Sequence, residues 1–110
     1  MSLRQGQECS HILLNSSAGT TAAVAAVATQ RVHIFKMILT ISTPAVTIII
    51  QDTGGAALSQ TFQLAINGSI TIDVPHNNEP WWSTGTGLGV QFVQSGTTPY
   101  GLDLWFIQGV

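Results

Sequence analysis

The stretch 58-LSQTFQLAINGSITIDV-74 alternates apolar and polar residues on both sides of Asn67-Gly68. Phe62, Leu64 and Ile66 before the dipeptide, and Ile70, Ile72 and Val74 after it, fall on one face, while Gln63 and Asp73 fall on the other. Asn-Gly supplies the positive φ that both central residues of a type I′ turn require, so the pattern predicts a β-hairpin. Working outward, 31-RVHIFKMILTI-41 also has a period of two, but with both faces largely apolar. Val32, Ile34, Lys36 and Ile38 would share one face and His33, Phe35, Met37, Leu39 and Ile41 the other, a strand covered on both sides along much of its length. Val46 to Gln51 gives a further β-branched run, bounded by Pro44 and by the turn residues Asp52 to Gly55.

The remaining segments follow the same logic. His11 to Leu14 reads as a first strand, ended by the turn-rich Asn15 to Gly19. The Ala-rich Thr20 to Thr29 has helical propensity but is too short for a stable isolated helix, and extended structure packed through small side chains is the better fit. After the polar loop Pro75 to Pro80 come Trp81-Trp82, a glycine-punctuated STGTGLG, a strand headed by Leu88, Val90 and Phe92, a turn with Pro99, and a closing strand Leu102 to Gln108. With 8 Val, 11 Ile and 13 Thr, the composition suits pleated sheet. About eight strands at regular spacing predict an antiparallel sandwich, jelly roll or barrel. A chain of 110 residues has room for one domain, placed at 11–110 behind a polar arm, Met1 to Ser10.

Charge narrows the function. Asp, Glu, Lys and Arg make up 7% of the chain, against roughly 25% in an ordinary soluble domain. A surface so neutral is easiest to keep dispersed when neighbours cover much of it, which favours a subunit of something larger. Arg4, Arg31 and Lys36 are too few to neutralise a run of phosphates, which disfavours nucleic acid and, by the same count, anionic membranes. Met37 to Ile50, interrupted by Pro44, falls short of the roughly 20 residues of a spanning helix. MSLRQGQECS lacks the apolar stretch of a signal peptide, and a single cysteine, Cys9, excludes an internal disulfide, so folding in a reducing cytoplasm is expected.

Catalytic patterns are weak. Asp73, His76 and Glu79 form one close set of ionisable groups, but catalytic zinc usually takes three ligands with His or Cys prominent, so a solvated loop is the simpler reading. His11 and His33 lie in strand-like runs and read as packed or edge residues. Cys9 has no base nearby in sequence, no serine stands in a nucleophile elbow, and TGTGLG lacks the Lys-Ser/Thr of a phosphate loop. No enzyme activity, metal or cofactor is expected. The aromatics Trp81, Trp82, Tyr100 and Trp105 are better candidates, because aromatic side chains anchor protein interfaces and stack sugars. If Trp81 and Trp82 lie in a strand, one must face inward and the other outward.

Taken together, INGSITIDVP, then PWWSTGTGLGVQF, then the final LDLWFI, after a Gly/Thr/Ala/Val-rich segment like Gly19 to Val27, resemble small virion proteins of tailed phages. The pattern is similar to the decoration, or stapling, proteins of epsilon-fifteen-like short-tailed phages, over roughly Gly19 to Ile107. The resemblance implies a jelly-roll sandwich on the outside of an icosahedral shell, a homodimer at local two-fold axes, and the major capsid protein as partner. It implies no catalytic residues. The expected interface comprises Arg4 and Gln7 of the arm together with Trp81, Trp82 and Tyr100. The alternative is a carbohydrate-binding module or phage adhesin that uses exposed aromatics.

Overall fold

The computed structural model describes residues 9–73 and 79–109. Nine strands lie among them: β1 (Ser10–Ser16), β2 (Thr20–Val24), β3 (Arg31–Ile41), β4 (Val46–Asp52), β5 (Phe62–Leu64), β6 (Ser69–Ile72), β7 (Trp82–Ser83), β8 (Val90–Gln94) and β9 (Tyr100–Gly109). One sheet has the order β1-β9-β3-β6, with β7 also pairing β3; the other has the order β2-β8-β4-β5. Every pairing is antiparallel. The pairs are nested: β4 with β5, outside them β3 with β6 and β7, then β2 with β8, then β1 with β9. This is a long antiparallel ribbon folded at the β4–β5 connection and wrapped so that successive pairs alternate between two sheets, the jelly roll the sequence predicts. Strand β7 is an addition to the eight-strand plan.

The core follows from the period of two. In β4, Val46, Ile48 and Ile50 are buried, in β8 Val90 and Phe92, and in β9 Tyr100, Leu102, Leu104 and Phe106, with partly exposed residues between them. These side chains meet Val32, Ile34, Met37, Leu39 and Ile41 of β3 between the sheets.

Strand β3 departs from the expected alternation. Its register on β9 passes from Ile34↔Phe106 to Lys36↔Trp105, so Phe35 is an extra, bulged residue. One inserted residue reverses parity: Val32 and Ile34 face the core before the bulge, Met37, Leu39 and Ile41 after it. Lys36 and Ile38, expected to share a face with Val32 and Ile34, therefore stay on the outside, and no ammonium group is driven between the sheets. Coverage on both sides holds only for the first half, where His33 and Phe35 are buried; Thr40 is exposed.

The predicted hairpin at Asn67-Gly68 does not form. Phe62–Leu64 pairs with β4 in one sheet and Ser69–Ile72 with β3 in the other, so the dipeptide carries the chain between sheets. The turn itself is real. Asn67 has φ of 56°, Gly68 N donates to Ala65 O at 2.9 Å, and a Cβ on Gly68 would lie 2.8 Å from that same oxygen. Asn-Gly chemistry specifies a sharp reversal, and the partners of the flanking strands are chosen by the rest of the sandwich. As a result Ile66, assigned to the inward set, is 56% exposed, while Phe62 and Leu64 are buried and Ile70 and Ile72 pack against the core. Val74 lies outside the described residues.

Buried polar groups tie the loops down. Gln94 donates through Nε2 to Ala18 O and Thr98 O and accepts through Oε1 from Thr98 N, and Thr98 Oγ1 donates to Pro44 O. These bonds join three loops at one end of the sandwich.

Candidate functional site

Four large apolar side chains are exposed among the described residues, Val27 in the loop after β2 at 41% and three others. Leu13, at the middle of β1, is 69% exposed; Trp81, just before β7, is 46% exposed; Ile66 belongs to the crossing turn. Of the two tryptophans only Trp82 lies in a strand, and it is the one that packs inward. Trp82 packs against the core with Phe62 edge-on to its ring at 6.3 Å between centroids, while Trp81 stays outside. Trp81 is held by its backbone, whose N–H donates to Ile34 O, and by its indole N–H, which donates to Asp73 O. Tyr100 is 4% exposed and belongs to the core, so it is not the surface aromatic the carbohydrate alternative needs. Its position explains this: it shares parity with Leu102, Leu104 and Phe106 on the inward face of β9. Arg4, Gln7 and His76 lie outside the described residues.

The outer face of the β1-β9-β3 sheet carries a polar and aromatic row. His11 stacks on Trp105 with centroids 4.4 Å apart, Lys36 Nζ sits 5.0 Å from the same ring, and His11 Nε2 donates to Asp103 Oδ1 at 2.9 Å. The indole is thus sandwiched between an imidazole and an ammonium group, an arrangement that gains from cation–π attraction.

Chemically reactive arrangements are sparse. His33 Nδ1 and Ser83 Oγ lie 2.7 Å apart, joining β3 to β7, and the histidine is 3% exposed. Burial lowers its pKa below the ordinary value, with the charge of Arg31 acting in the same direction. Among the described residues its Nε2 has no hydrogen-bond partner, so no carboxylate orients the ring as a general base needs. Burial also raises the pKa of the Cys9 thiol, the opposite of the lowering that activates a nucleophilic cysteine. Among the described residues no group of three His, Cys, Asp or Glu could hold a metal ion, and no helix is long and apolar enough to cross a membrane. Of the Asp73–His76–Glu79 set, His76 lies outside those residues. An open depression of about 560 Å³ at one end is lined by Asn15, Ser16, Thr40, Ser42, Asn67 and Tyr100 among others, with no carboxylate, imidazole or thiol in its wall.

The glycine-rich segment is structural. A Cβ on Gly89 would lie 2.1 Å from Val24 O and 2.8 Å from Ala26 N, so the absence of a side chain lets the end of β2 close against it. Gly87 has φ of 80°. Thr84 Oγ1 accepts from Val32 N and donates to Gly85 O or Leu88 O. The N–H groups of Gly87, Leu88 and Gly89 donate to Gln30 O, Gly85 O and Thr53 Oγ1, so these three are not turned to a phosphate.

Sequence reasoning passed over Leu13, Ile66 and the His33–Ser83 pair. Leu13 could have been found from the neutral run SHILLNS, whose alternation requires either Leu13 or its neighbours to face outward.

No protein-family model matches the chain, and no curated protein matches it in sequence. Solved structures similar to it include a chain from the Bacillus endospore appendages, described as a novel family of disulfide-linked pili, at 18% identity and a TM-score of 0.51, covering 100% of this chain and 96% of that one. A chain of the cyanophage Pam1 capsid asymmetric unit matches at 11% identity and a TM-score of 0.47, covering 96% and 90% respectively. The capsular polysaccharide assembling protein CapF from Staphylococcus aureus matches at 11% identity and a TM-score of 0.38, over 90% of this chain and 24% of that protein. The chain is similar in fold to the pilus chain over its whole length, and at such identities that likeness is one of architecture alone.

Proposed function

We propose that the chain is a non-catalytic structural protein of a virion, docking on the outside of an icosahedral phage capsid and tying neighbouring subunits of the major capsid protein together. One observation carries this: exposed apolar side chains sit on opposite borders of one sheet, Leu13 on the β1 border and Trp81 beside β7. Two strands, β9 and β3, separate these borders, which at about 4.8 Å per strand step stand roughly 14 Å apart. A single molecule can therefore contact two neighbours at once, so that individually weak contacts act together at high effective concentration. With 7% charged residues, docking removes few ions from water. The sequence resemblance to phage decoration proteins supports the same role. No cofactor, metal, nucleic acid or membrane takes part.

The carbohydrate alternative retains one exposed ring, Trp81, because Trp82 and Tyr100 are taken up by packing. Mixing the purified chain with undecorated phage shells and sedimenting them separates the two. Saturable, stoichiometric co-sedimentation, weakened in Trp81→Ala without loss of folding, is the expected result. Absence of shell binding, with Trp81 fluorescence quenched by saccharides, would overturn it.

A further inference from the structure

We propose that β1 is the self-association edge of this protein, pairing antiparallel with β1 of a second copy about a two-fold axis through Leu13. A sandwich of two open sheets has four edge strands, and unpaired edges invite other strands unless they are blunted. Three are blunted here. Strand β2 has a register break between Ala22 and Val24, β5 is three residues long, and the fourth border is split into the short β6 and β7. Among the described residues, strand β1 has no such protection. It pairs with β9 without a break from Ser10 to Ser16, and it contains no proline and no Asp, Glu, Lys or Arg.

The sequence of β1 also fits itself. In SHILLNS, antiparallel pairing centred on Leu13 sets Ser10 against Ser16, His11 against Asn15, Ile12 against Leu14 and Leu13 against Leu13 of the second copy. Polar residues meet polar residues, apolar meet apolar, and no like charges are opposed. This is the self-complementarity that a two-fold interface demands. Leu13, 69% exposed in the single chain, gains a leucine neighbour on the same face. Ile12 and Leu14, packed against the core but only partly buried, would be covered on their open side. The two sheets would join into one of eight strands, in the order β6-β3-β9-β1-β1-β9-β3-β6, with main-chain hydrogen bonds supplying much of the attraction.

The pairing gives the Leu13 border to a second copy, so the tie between two neighbours in the proposed function then runs between the Trp81 borders of the paired copies, and the test of the pairing needs only the purified chain. Sedimentation velocity over a concentration series should show a monomer–dimer equilibrium. Leu13→Lys, which sets two ammonium groups face to face, should weaken the dimer by on the order of tenfold or more, while near-ultraviolet circular dichroism stays unchanged because the side chain is exposed. Opposed residues in antiparallel strands have Cα atoms about 4.5–5.5 Å apart, within disulfide reach. Leu13→Cys in a Cys9→Ser background should therefore give a covalent dimer on mild oxidation, and Ile66→Cys in that background should not. A wild-type chain that stays monomeric at high micromolar concentration, a dimer that survives Leu13→Lys, or failure of Leu13→Cys to cross-link would each overturn the proposed pairing.

Discussion

Replacing Gly89 by alanine asks the most of the fold for the least change in chemistry. The added Cβ would stand 2.1 Å from Val24 O, 2.8 Å from Ala26 N and 2.9 Å from Ala25 C, all backbone atoms that no rotamer change can move aside. Relief requires the end of β2 to retreat from β8 by about 1 Å, which is overpacking of the kind that costs about 1–3 kcal/mol. The shift also strains two hydrogen bonds that Gly89 makes, from its N–H to Thr53 Oγ1 at 2.9 Å and from Thr53 N to its carbonyl at 3.1 Å. Each is worth about 0.5–1.5 kcal/mol. A total loss of roughly 2–6 kcal/mol is expected, a large share of the roughly 5–15 kcal/mol that holds a typical domain folded. Urea unfolding followed by tryptophan fluorescence measures it. Gly109→Ala, with nothing within 4 Å of the new Cβ, serves as control and should change stability by less than about 0.5 kcal/mol. A loss below about 1 kcal/mol for Gly89→Ala would refute the close β2–Gly89 contact and reopen the glycine-rich segment to a ligand-binding role.

Two further perturbations report on buried polar groups. Because burial holds the His33 pKa below its ordinary value, the unfolded chain takes up the proton first as pH falls through about 6.5. His33 should therefore make the protein lose stability on acidification until the folded-state pKa is reached, and His33→Gln should flatten that slope in urea midpoints measured between neutral and mildly acid pH; an unchanged slope counts against a buried neutral imidazole. Gln94→Leu, close in size, leaves both backbone groups of buried Thr98 without their side-chain partner and should cost about 2–4 kcal/mol in the same assay, whereas near-neutrality would mean that water replaces the amide.

Much of the architecture was legible because β4, β8 and β9 each bury one face, and a period of two records this directly. Extended structure, expected over Thr20 to Thr29, holds for Thr20–Val24 and gives way to a loop after it. Three features were not legible, for different reasons. Asn67-Gly68 specifies a local reversal but carries no information about which sheet each flank joins. The bulge at Phe35 leaves only a faint trace, Lys36 on what looks like the inward parity of an apolar strand. Strand β7 has two residues and no pattern of its own; it is recruited by bonds from the β3 backbone, with Trp81 N donating to Ile34 O and Thr84 N to Val32 O. Tyr100, expected among the interface aromatics, begins β9 and faces inward.

The proposed role predicts more than attachment: a protein that ties capsomers together must make the shell harder to take apart. Light scattering of undecorated shells heated with increasing amounts of the chain measures this. The disruption temperature should rise and level off at the stoichiometry at which co-sedimentation saturates, with a smaller rise for Trp81→Ala. Shells that bind the chain to saturation yet come apart at the same temperature as bare shells would contradict the account.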